Sequence, residues 1–433
     1  MPSLLSFDID FRVWDRFVAF CSFIDVDAPR RSRFLRQMTL YMHHLSNSFS
    51  TGTLDHILCI LQHATQLHRL TITTYVRGGP RPLDPRLIGA LSSLTSIKHL
   101  TLDETSNDTV MMLQSLHSPV AEARVDFKSG SDVDPILVLR NFSSSLQQLA
   151  ALGSPVFPRA PHYDIQYSLV TKLEISVRIG SPIPLKPLIY SFPNLRVLRL
   201  VDEVDLDQVQ PFEGDIALAG EGCRQANILS QSQRHWEALD HVSSDILCLY
   251  LLGLSCKVHH LHLEFARCYG VDNLRLIKET LSMIRPTRLH IRVFDDVDFN
   301  PTQLDRTVDD LTHLHINFII CSSELVDTPQ VVDGFIALLP PLACMTHFAL
   351  QLEWEDNALL EICEDLLQIA SLANRVMEAA PAVQYISLKW YTMFGAGSSV
   401  WQVLRSGDIS SLRELTGKDA QRVESELGLG LHF

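Results

Sequence analysis

The chain has 433 residues, of which 46% are hydrophobic, and it carries a formal net charge of −14. This length suffices for two or three ordinary domains or for one long repeat array, and the composition can supply a large core. Because phosphate binding needs clustered Lys and Arg side chains, the acidic balance argues against nucleic acid and anionic membrane as main partners.

Residues 1–34 precede the first predicted strand and contain one amphipathic segment. Its apolar positions include Phe11, Trp14 and Phe17, and they predict a helix that ends before Asp25. We expect this N-terminal helix to cap the open end of a repeat array, because terminal repeats need a cover. A partner-docking helix is the alternative.

A pattern of the form apolar-x-x-apolar-x-apolar recurs through residues 35–390. It is clearest in Val258-His259-His260-Leu261-His262-Leu263, where the two-residue alternation predicts a strand with Leu261 and Leu263 facing a core. Four consecutive spacings between copies are 24 or 25 residues. The central apolar residues of the twelve copies are Met38, Leu70, Leu100, Val125, Leu149, Leu173, Leu198, Leu261, Leu289, Leu314, Phe348 and Ile386.

The segments between these copies often have helical spacing. Apolar stripes run from Leu54 to Leu61 and from Leu274 to Ile284, and Ala358–Ala379 is predicted to be the longest helix. A strand followed by a helix, repeated at a period near 20–29 residues, buries its core only by stacking on its neighbours. The predicted fold is therefore α/β, an irregular leucine-rich-repeat solenoid (horseshoe) with parallel strands on the concave face and helices or loops on the convex face. An ordinary α/β domain is the alternative.

Two regions depart from the repeat. An acidic insertion near residues 201–235 is predicted to be a solvated spacer or an interaction tail. From Trp236 through Leu252 the sequence predicts a buried helix. Residues 391–433 are predicted to form a C-terminal cap, in which Trp401, Val403 and Leu404 pack on the last strand and Asp419–Leu427 forms a short helix.

Outward-facing residues of the last five strands form the candidate binding site. If the central apolar residues of these strands are equivalent, their polar neighbours line up across strands about 4.8 Å apart. Six of these neighbours are histidines, which suggests a pH-sensitive recognition patch or an adventitious Zn²⁺ or Cu²⁺ site, although His also simply tolerates half-exposed strand positions. The candidate partner-binding residues are His260, His262, Glu264, Arg288, His290, Arg292, His313, His315, His347 and Tyr385.

No catalytic or cofactor motif is found. The sequence has no H-E-x-x-H, P-loop, G-x-S-x-G or complete G-x-G-x-x-G, and Gly395-Ala396-Gly397 is a lone G-x-G. We therefore expect no enzyme activity, cofactor or resident metal. The nine cysteines include no C-x-x-C pair, and Met1–Asp8 lacks a basic n-region. Both features favour reduced thiols and a cytoplasmic or nuclear location.

The hydrophobic pattern resembles the leucine-rich-repeat region of F-box-like proteins from basidiomycete fungi. The resemblance rests on Trp14 with Arg30-Arg31, on Ile57 through Ile72, on Trp236 through Leu263, and on Trp401-Gln402-Val403-Leu404-Arg405. It covers most of the chain, but it consists of hydrophobic positions and includes no specific motif. The family implies a substrate receptor of an SCF-type ubiquitin ligase, in which an F-box docks on the cullin-RING ligase adaptor and the repeats hold the substrate.

The chain departs from that family at its start. No Leu-Pro-x-Glu F-box opening precedes the first strand at Leu35. We expect either that the F-box was lost or that it is missing from this sequence. The expected function is a protein-binding scaffold whose concave strand face holds a protein partner, with a possible link to a ligase adaptor. A stand-alone interaction scaffold is the alternative, and an enzyme without a recognisable motif is the third hypothesis.

Overall fold

In the computed structural model the chain forms two compact units. Unit 1 comprises Met1–Arg178 and Ile183–Val204, and unit 2 comprises Ile179–Pro182 and Asp205–Phe433. The described residues are 14–41, 51–73, 83–127, 133–153, 161–177, 183–202, 216–264, 273–294, 309–321, 328–340, 342–354, 369–392, 395–407 and 409–427.

Unit 1 is a run of seven parallel strands that pair in chain order. Its strands are β1 (Gln37–Tyr41), β2 (Arg69–Thr73), β3 (His99–Asp103), β4 (Glu122–Asp126), β5 (Gln148–Leu152), β6 (Lys172–Val177) and β7 (Val197–Asp202). Its helices are α1 (Trp14–Asp25), α2 (Ala28–Arg31), α3 (Thr51–His63), α4 (Pro85–Ser92), α5 (Asn107–Ser115), α6 (Pro135–Val138) and α7 (Leu185–Ser191). Two 3₁₀ turns, Ser32–Phe34 and Arg140–Phe142, complete this unit.

Unit 2 begins with six parallel strands, again paired in chain order. They are β8 (Ala238–Asp245), β9 (Lys257–Glu264), β10 (Arg288–Phe294), β11 (His313–Ile320), β12 (His347–Trp354) and β13 (Tyr385–Thr392). Two antiparallel strands follow, β14 (Gly395–Ser406) and β15 (Ile409–Leu415). The helices are α8 (Ile216–Gln231), α9 (Ile246–Leu252), α10 (Asn273–Ile284), α11 (Thr328–Ala337), α12 (Ile369–Ala379) and α13 (Gly417–Glu426).

Strand register follows the buried face, as the repeat pattern predicts. In unit 2, Leu261 pairs with Leu289, Leu289 with Leu314, and then Phe348 and Ile386 continue the row. All five side chains are at most 3% exposed. A shift of one residue would move every such side chain to the opposite face, so the apolar row fixes the register. The predicted α/β solenoid of parallel strands alternating with helices is thereby confirmed, and all twelve predicted strands are present.

The region from Trp236 to Leu252 differs from the prediction. Ala238–Asp245 forms strand β8, and only Ile246–Leu252 is helical. The switch occurs at Asp245, whose Oδ1 accepts a 2.9 Å hydrogen bond from the backbone N–H of Cys248 and so caps α9. Within the predicted acidic insertion, residues 216–231 form α8, and residues 203–215 lie outside the described residues.

The C-terminal region forms a hairpin followed by a helix. Trp401 pairs with Ile386 of the last parallel strand, and both Trp401 and Val403 are buried. Leu404 was predicted to pack there, but it points the other way and is 41% exposed, because side chains alternate along a strand. The predicted final helix is confirmed as α13. Of the predicted helix Ala358–Ala379, residues 369–379 form α12, and the earlier part lies outside the described residues.

Candidate functional site

The ten candidate residues lie on one face of the parallel strands of unit 2. We call this side the open face, because the alternating side chains on the other side form the core with the helices. Strand register arranges the open-face residues in three columns, in the order predicted for the first two. Column one is His241, His260, Arg288, His313, His347 and Tyr385. Column two is Ser243, His262, His290, His315, Ala349 and Ser387. Column three is Asp245, Glu264, Arg292, Asn317, Gln351 and Lys389.

Imidazole rings stack along the columns. In column two, the ring centroids of His262 and His290 lie 4.2 Å apart, and those of His290 and His315 lie 3.9 Å apart, with nearly parallel planes. In column one, His313 and His347 stack at 4.1 Å. These distances follow from the spacing of neighbouring strands, which holds in-register side chains side by side.

Three histidines of the open face, His260, His313 and His315, are held in the neutral form. Burial lowers the pKa of His260 to about 4, and nearby Arg288 and His262 contribute to this lowering. Burial likewise lowers the pKa of His313 and of His315 to about 3. These values lie well below the ordinary histidine pKa of about 6.5, because a charged ring would be desolvated beside other cations. The protonation change of a pH-sensitive patch is therefore displaced to more acidic pH for these three rings.

Several polar atoms on the open face have no hydrogen-bond partner among the described residues. They are Nε2 of His290, both ring nitrogens of His315, Oδ1 of Asn317 and Oγ of Ser387. His315 is 5% exposed, Asn317 is 8% exposed, and Ser387 is fully buried. Buried polar groups in proteins are normally paired, so this cluster is an unusual concentration of unused hydrogen-bonding capacity.

Column three carries opposite charges. The guanidinium of Arg292 lies 3.7 Å from Oε1 of Glu264, and it also lies over the ring of Phe294. Because both partners of this ion pair are partly exposed, its contribution to stability is small and its accessibility is high. Asp245, at the other end of the column, is buried, and burial raises the pKa of its carboxyl. It serves the cap of α9 and is not accessible to a partner.

Helix α13 lies on the open face, an arrangement that the sequence patterns did not predict. Its buried Val423, together with Leu427 just beyond it, forms an apolar cluster with Ala349 of column two and with Val400 and Leu415 of the hairpin. Ala420 and Tyr385 pack against the same cluster. The helical spacing of Ala420, Val423 and Leu427 is the signal that could have indicated a buried face.

Polar contacts add to this docking. Oε1 of Glu424 lies 2.9 Å from Nζ of Lys389, and Oε2 of Glu426 lies 3.5 Å from Nε2 of His347. Nη1 of Arg288 donates a 2.9 Å hydrogen bond to the backbone carbonyl of Glu426. Contacts thus reach from β10 to β13. His315 and His347 are buried in this arrangement, whereas His260, Glu264, Arg288 and Arg292 keep exposed surface.

Unit 1 has a second polar strand face, which the candidate site did not include. Glu174 of β6 lies 3.8 Å from Arg199 on the neighbouring strand β7 and 3.9 Å from Arg124 on β4, with β5 between β4 and β6. Nδ1 of His99 lies 2.7 Å from Oε2 of Glu122 on the next strand. These residues are partly exposed, so this face also presents alternating charges to solvent.

Neither a metal site nor a membrane-spanning helix occurs in the part of the chain that the structure describes. No group of three or more His, Cys, Asp or Glu side chains there is arranged to hold a metal ion. The stacked imidazoles lie with parallel planes, which differs from the convergence of nitrogens on one point that Zn²⁺ requires. Over the same residues, every helix is too short or too polar to cross a bilayer.

Comparison with known proteins finds one structural likeness to report. No protein-family model matches the chain, and no curated protein matches it. Among solved structures, the chain is similar to the leucine-rich repeat-containing protein LegL7 from Legionella pneumophila, with 11% sequence identity and a TM-score of 0.32. That match covers 92% of this chain and 92% of the other. The fold assignment rests on the strand order and register given above.

Proposed function

We propose that the protein is a binding scaffold that recognises a protein partner through the open face of its strands. The observation that carries this proposal is the set of three side-chain columns across the parallel strands of unit 2. Each strand contributes one side chain to each column, so the face offers imidazole, guanidinium, carboxylate and amide groups in fixed rows. Repeat proteins use such extended surfaces for binding.

The chemistry of the face favours a protein partner. Arg288, Arg292 and Glu264 keep exposed surface around the neutral histidines. Arginine and aromatic side chains are enriched at protein interfaces. Positive and negative side chains at the rim of an interface favour a partner whose surface carries the complementary charges. Because the face carries both signs and the whole chain is acidic, we expect a polar protein surface as partner and neither nucleic acid nor membrane.

The more specific proposal is that the protein is a substrate receptor of an SCF-type ubiquitin ligase, in the cytoplasm or nucleus. Its support is the resemblance of the hydrophobic pattern to fungal F-box-like repeat proteins, which implies contact with a cullin-RING ligase adaptor. The alternative is a stand-alone scaffold, which binds its partner through the same face and has no contact with an adaptor. An enzyme is the least favoured hypothesis, because the sequence contains none of the catalytic motifs named above.

Affinity purification of the tagged full chain from its native cells, followed by mass spectrometry, tests these proposals. The Arg292→Glu variant alters the open face, and Lys278→Glu on α10 makes the same charge change away from it. We expect a set of proteins that is retained by the wild type and by Lys278→Glu but lost with Arg292→Glu. Cullin and adaptor subunits at near-stoichiometric yield would support the ligase role, and their absence would favour the stand-alone scaffold. Identical protein sets for all three chains would refute binding through this face.

A further inference from the structure

Helix α13 has the properties of a ligand for the open face. It presents aliphatic side chains from Val423 and Leu427 and carboxylates from Glu424 and Glu426 to the sheet, while Lys418, Gln421 and Ser425 remain exposed. Laying an amphipathic helix on a receptive surface through such anchors is a common mode of peptide recognition.

The helix is joined to the sheet by a short connection. Strand β15 ends at Leu415 and α13 begins at Gly417, whose φ of +58° is a left-handed conformation that glycine adopts without strain. Open space surrounds the position where a Cβ at Gly417 would lie. Arg288 and His347 lie in β10 and β12, far from α13 in sequence. Their contacts with the helix therefore form only when the helix docks against the sheet.

The fit between α13 and the open face is incomplete. On the open face, atoms of His290, His315, Asn317 and Ser387 have no hydrogen-bond partner within the described ranges. The carboxylates of Glu424 and Glu426 are already paired, with Lys389 and with His347 respectively. A different occupant with additional donors and acceptors would satisfy these groups and gain affinity relative to α13, because unpaired buried polar groups oppose docking.

We propose that α13 is an intramolecular occupant of the partner-binding face, and that the partner is a protein segment folded as a short acidic amphipathic helix. Like α13, the partner helix would place two aliphatic side chains against Ala349, Val400 and Leu415. It would also place two carboxylates opposite Lys389 and the His347–Arg288 region. This inference rests on the proposed function, and it adds to it the class of partner and the event that precedes binding, which is release of α13.

A synthetic, fluorescently labelled peptide of residues 416–427 is the probe. It is titrated into the full-length wild-type chain and into Val423→Glu, which places a charge in the apolar cluster and weakens docking of the chain's own helix. Gln421→Glu adds the same charge on the exposed side of α13 and serves as the matched control. Fluorescence anisotropy measures the affinity, and thermal unfolding verifies that each chain is folded.

We expect the peptide to bind Val423→Glu at least tenfold more tightly than it binds the wild type or Gln421→Glu, since only the first chain has a vacant face. A peptide in which both Glu424 and Glu426 are replaced by Lys should lose this binding. Should Val423→Glu not fold, the double variant Glu424→Lys with Glu426→Lys releases the helix through its polar contacts instead, and the same gain in peptide affinity is expected.

Three results would overturn the inference. They are the absence of peptide binding to a folded release variant, equal binding to wild type and release variant, and a wild-type dimer that the release variant dissociates, which would make a second copy the occupant. The peptide experiment needs no cellular partner, so its outcome is independent of the purification experiment. If the peptide binds but no protein is selectively captured, α13 remains an occupant of the open face and the scaffold function is rejected. If proteins are selectively captured but the peptide does not bind, the scaffold function remains and this inference is rejected.

Discussion

Glu426 contacts two strands that are not neighbours. Its Oε2 lies 3.5 Å from Nε2 of His347 in β12, and its backbone carbonyl accepts a 2.9 Å hydrogen bond from Arg288 in β10, with β11 between them. One residue at the end of α13 therefore connects positions in the strand stack that no local hydrogen bond joins. The docking of α13 should accordingly respond to changes in the side chains that face it.

Reversing the charge of Lys389 should loosen α13. The change Lys389→Glu places two carboxylates at the present 2.9 Å contact with Glu424, so repulsion replaces attraction at a site where both side chains are largely shielded from solvent. We expect the amides of α13 to exchange with deuterium at least tenfold faster, measured by mass spectrometry. Lys257→Glu, at an exposed position of β9, should leave this exchange unchanged. Equal exchange in both variants would contradict the assigned docking.

Acid should destabilise the protein through its neutral histidines. The folded pKa of His315 is about 3, below the unfolded value of about 6.5, so the unfolded state binds more protons as pH falls. The contribution of neutral His315 to the free energy of unfolding is fully present above pH 6.5 and is lost progressively between pH 6.5 and 3. From pH 7.5 to 5.5 we expect a loss of about 1 kcal/mol from this residue in the free energy of unfolding.

Urea unfolding of His315→Gln at both pH values measures that contribution. The variant should lose less stability than the wild type between pH 7.5 and 5.5, since one of the rings with a lowered pKa has been removed. His117→Gln, at an exposed position in unit 1, is the control and should match the wild type. A wild-type pH dependence retained in full by His315→Gln would show that this ring titrates normally.

Asp245 should stabilise α9 as a hydrogen-bond acceptor and not as a charge. Its Oδ1 accepts from Cys248, whereas burial raises the pKa of the carboxyl, so the ionised form is disfavoured in the folded state. Asp245→Ala should lower the free energy of unfolding by about 1 kcal/mol, the usual effect of losing an N-cap. Asp245→Asn keeps an acceptor without a charge and should equal or exceed the wild type at pH 7.5. Equal destabilisation by both changes, measured by urea unfolding, would reject this division of roles.

Gly397 is required by its cross-strand partner. It pairs with Trp390 between β13 and β14, and a Cβ at position 397 would overlap Cζ2 of the indole. The lone G-x-G of the sequence thus has a packing explanation. Gly397→Ala should destabilise the protein by about 1–3 kcal/mol, because the indole must move.

Gly222→Ala is the matched control for that change. Gly222 lies inside α8, and nothing lies within 4 Å of the position that an alanine methyl group would occupy. Alanine there should stabilise the helix by about 0.5–1 kcal/mol. Urea unfolding of both variants should give shifts of opposite sign. A stabilising shift for Gly397→Ala would indicate that the indole of Trp390 is not packed on Gly397.

Local patterns were sufficient to predict most of the strands. The apolar-x-x-apolar-x-apolar copies became strands because a two-residue alternation buries one face wherever a helix covers it, and their shared apolar row also fixed the register. The two histidine columns followed directly from that register. Strand β8 was missed because it keeps only the first two apolar positions of the pattern, Leu239 and Val242. Ser244 stands at the third position, and the strand runs straight into the apolar helix α9.

The sequence by itself determined the repeat architecture, the polar character of the open face and the existence of a short C-terminal helix, because each depends on neighbouring residues along the chain. Only the tertiary structure decided that α13 lies on the open face and that Glu426 contacts His347 and Arg288 there. The contacts of Glu424 and Glu426 with Lys389, His347 and Arg288 are weak individually and distant in sequence. They form only after the strands have assembled the columns, so no local pattern encodes them.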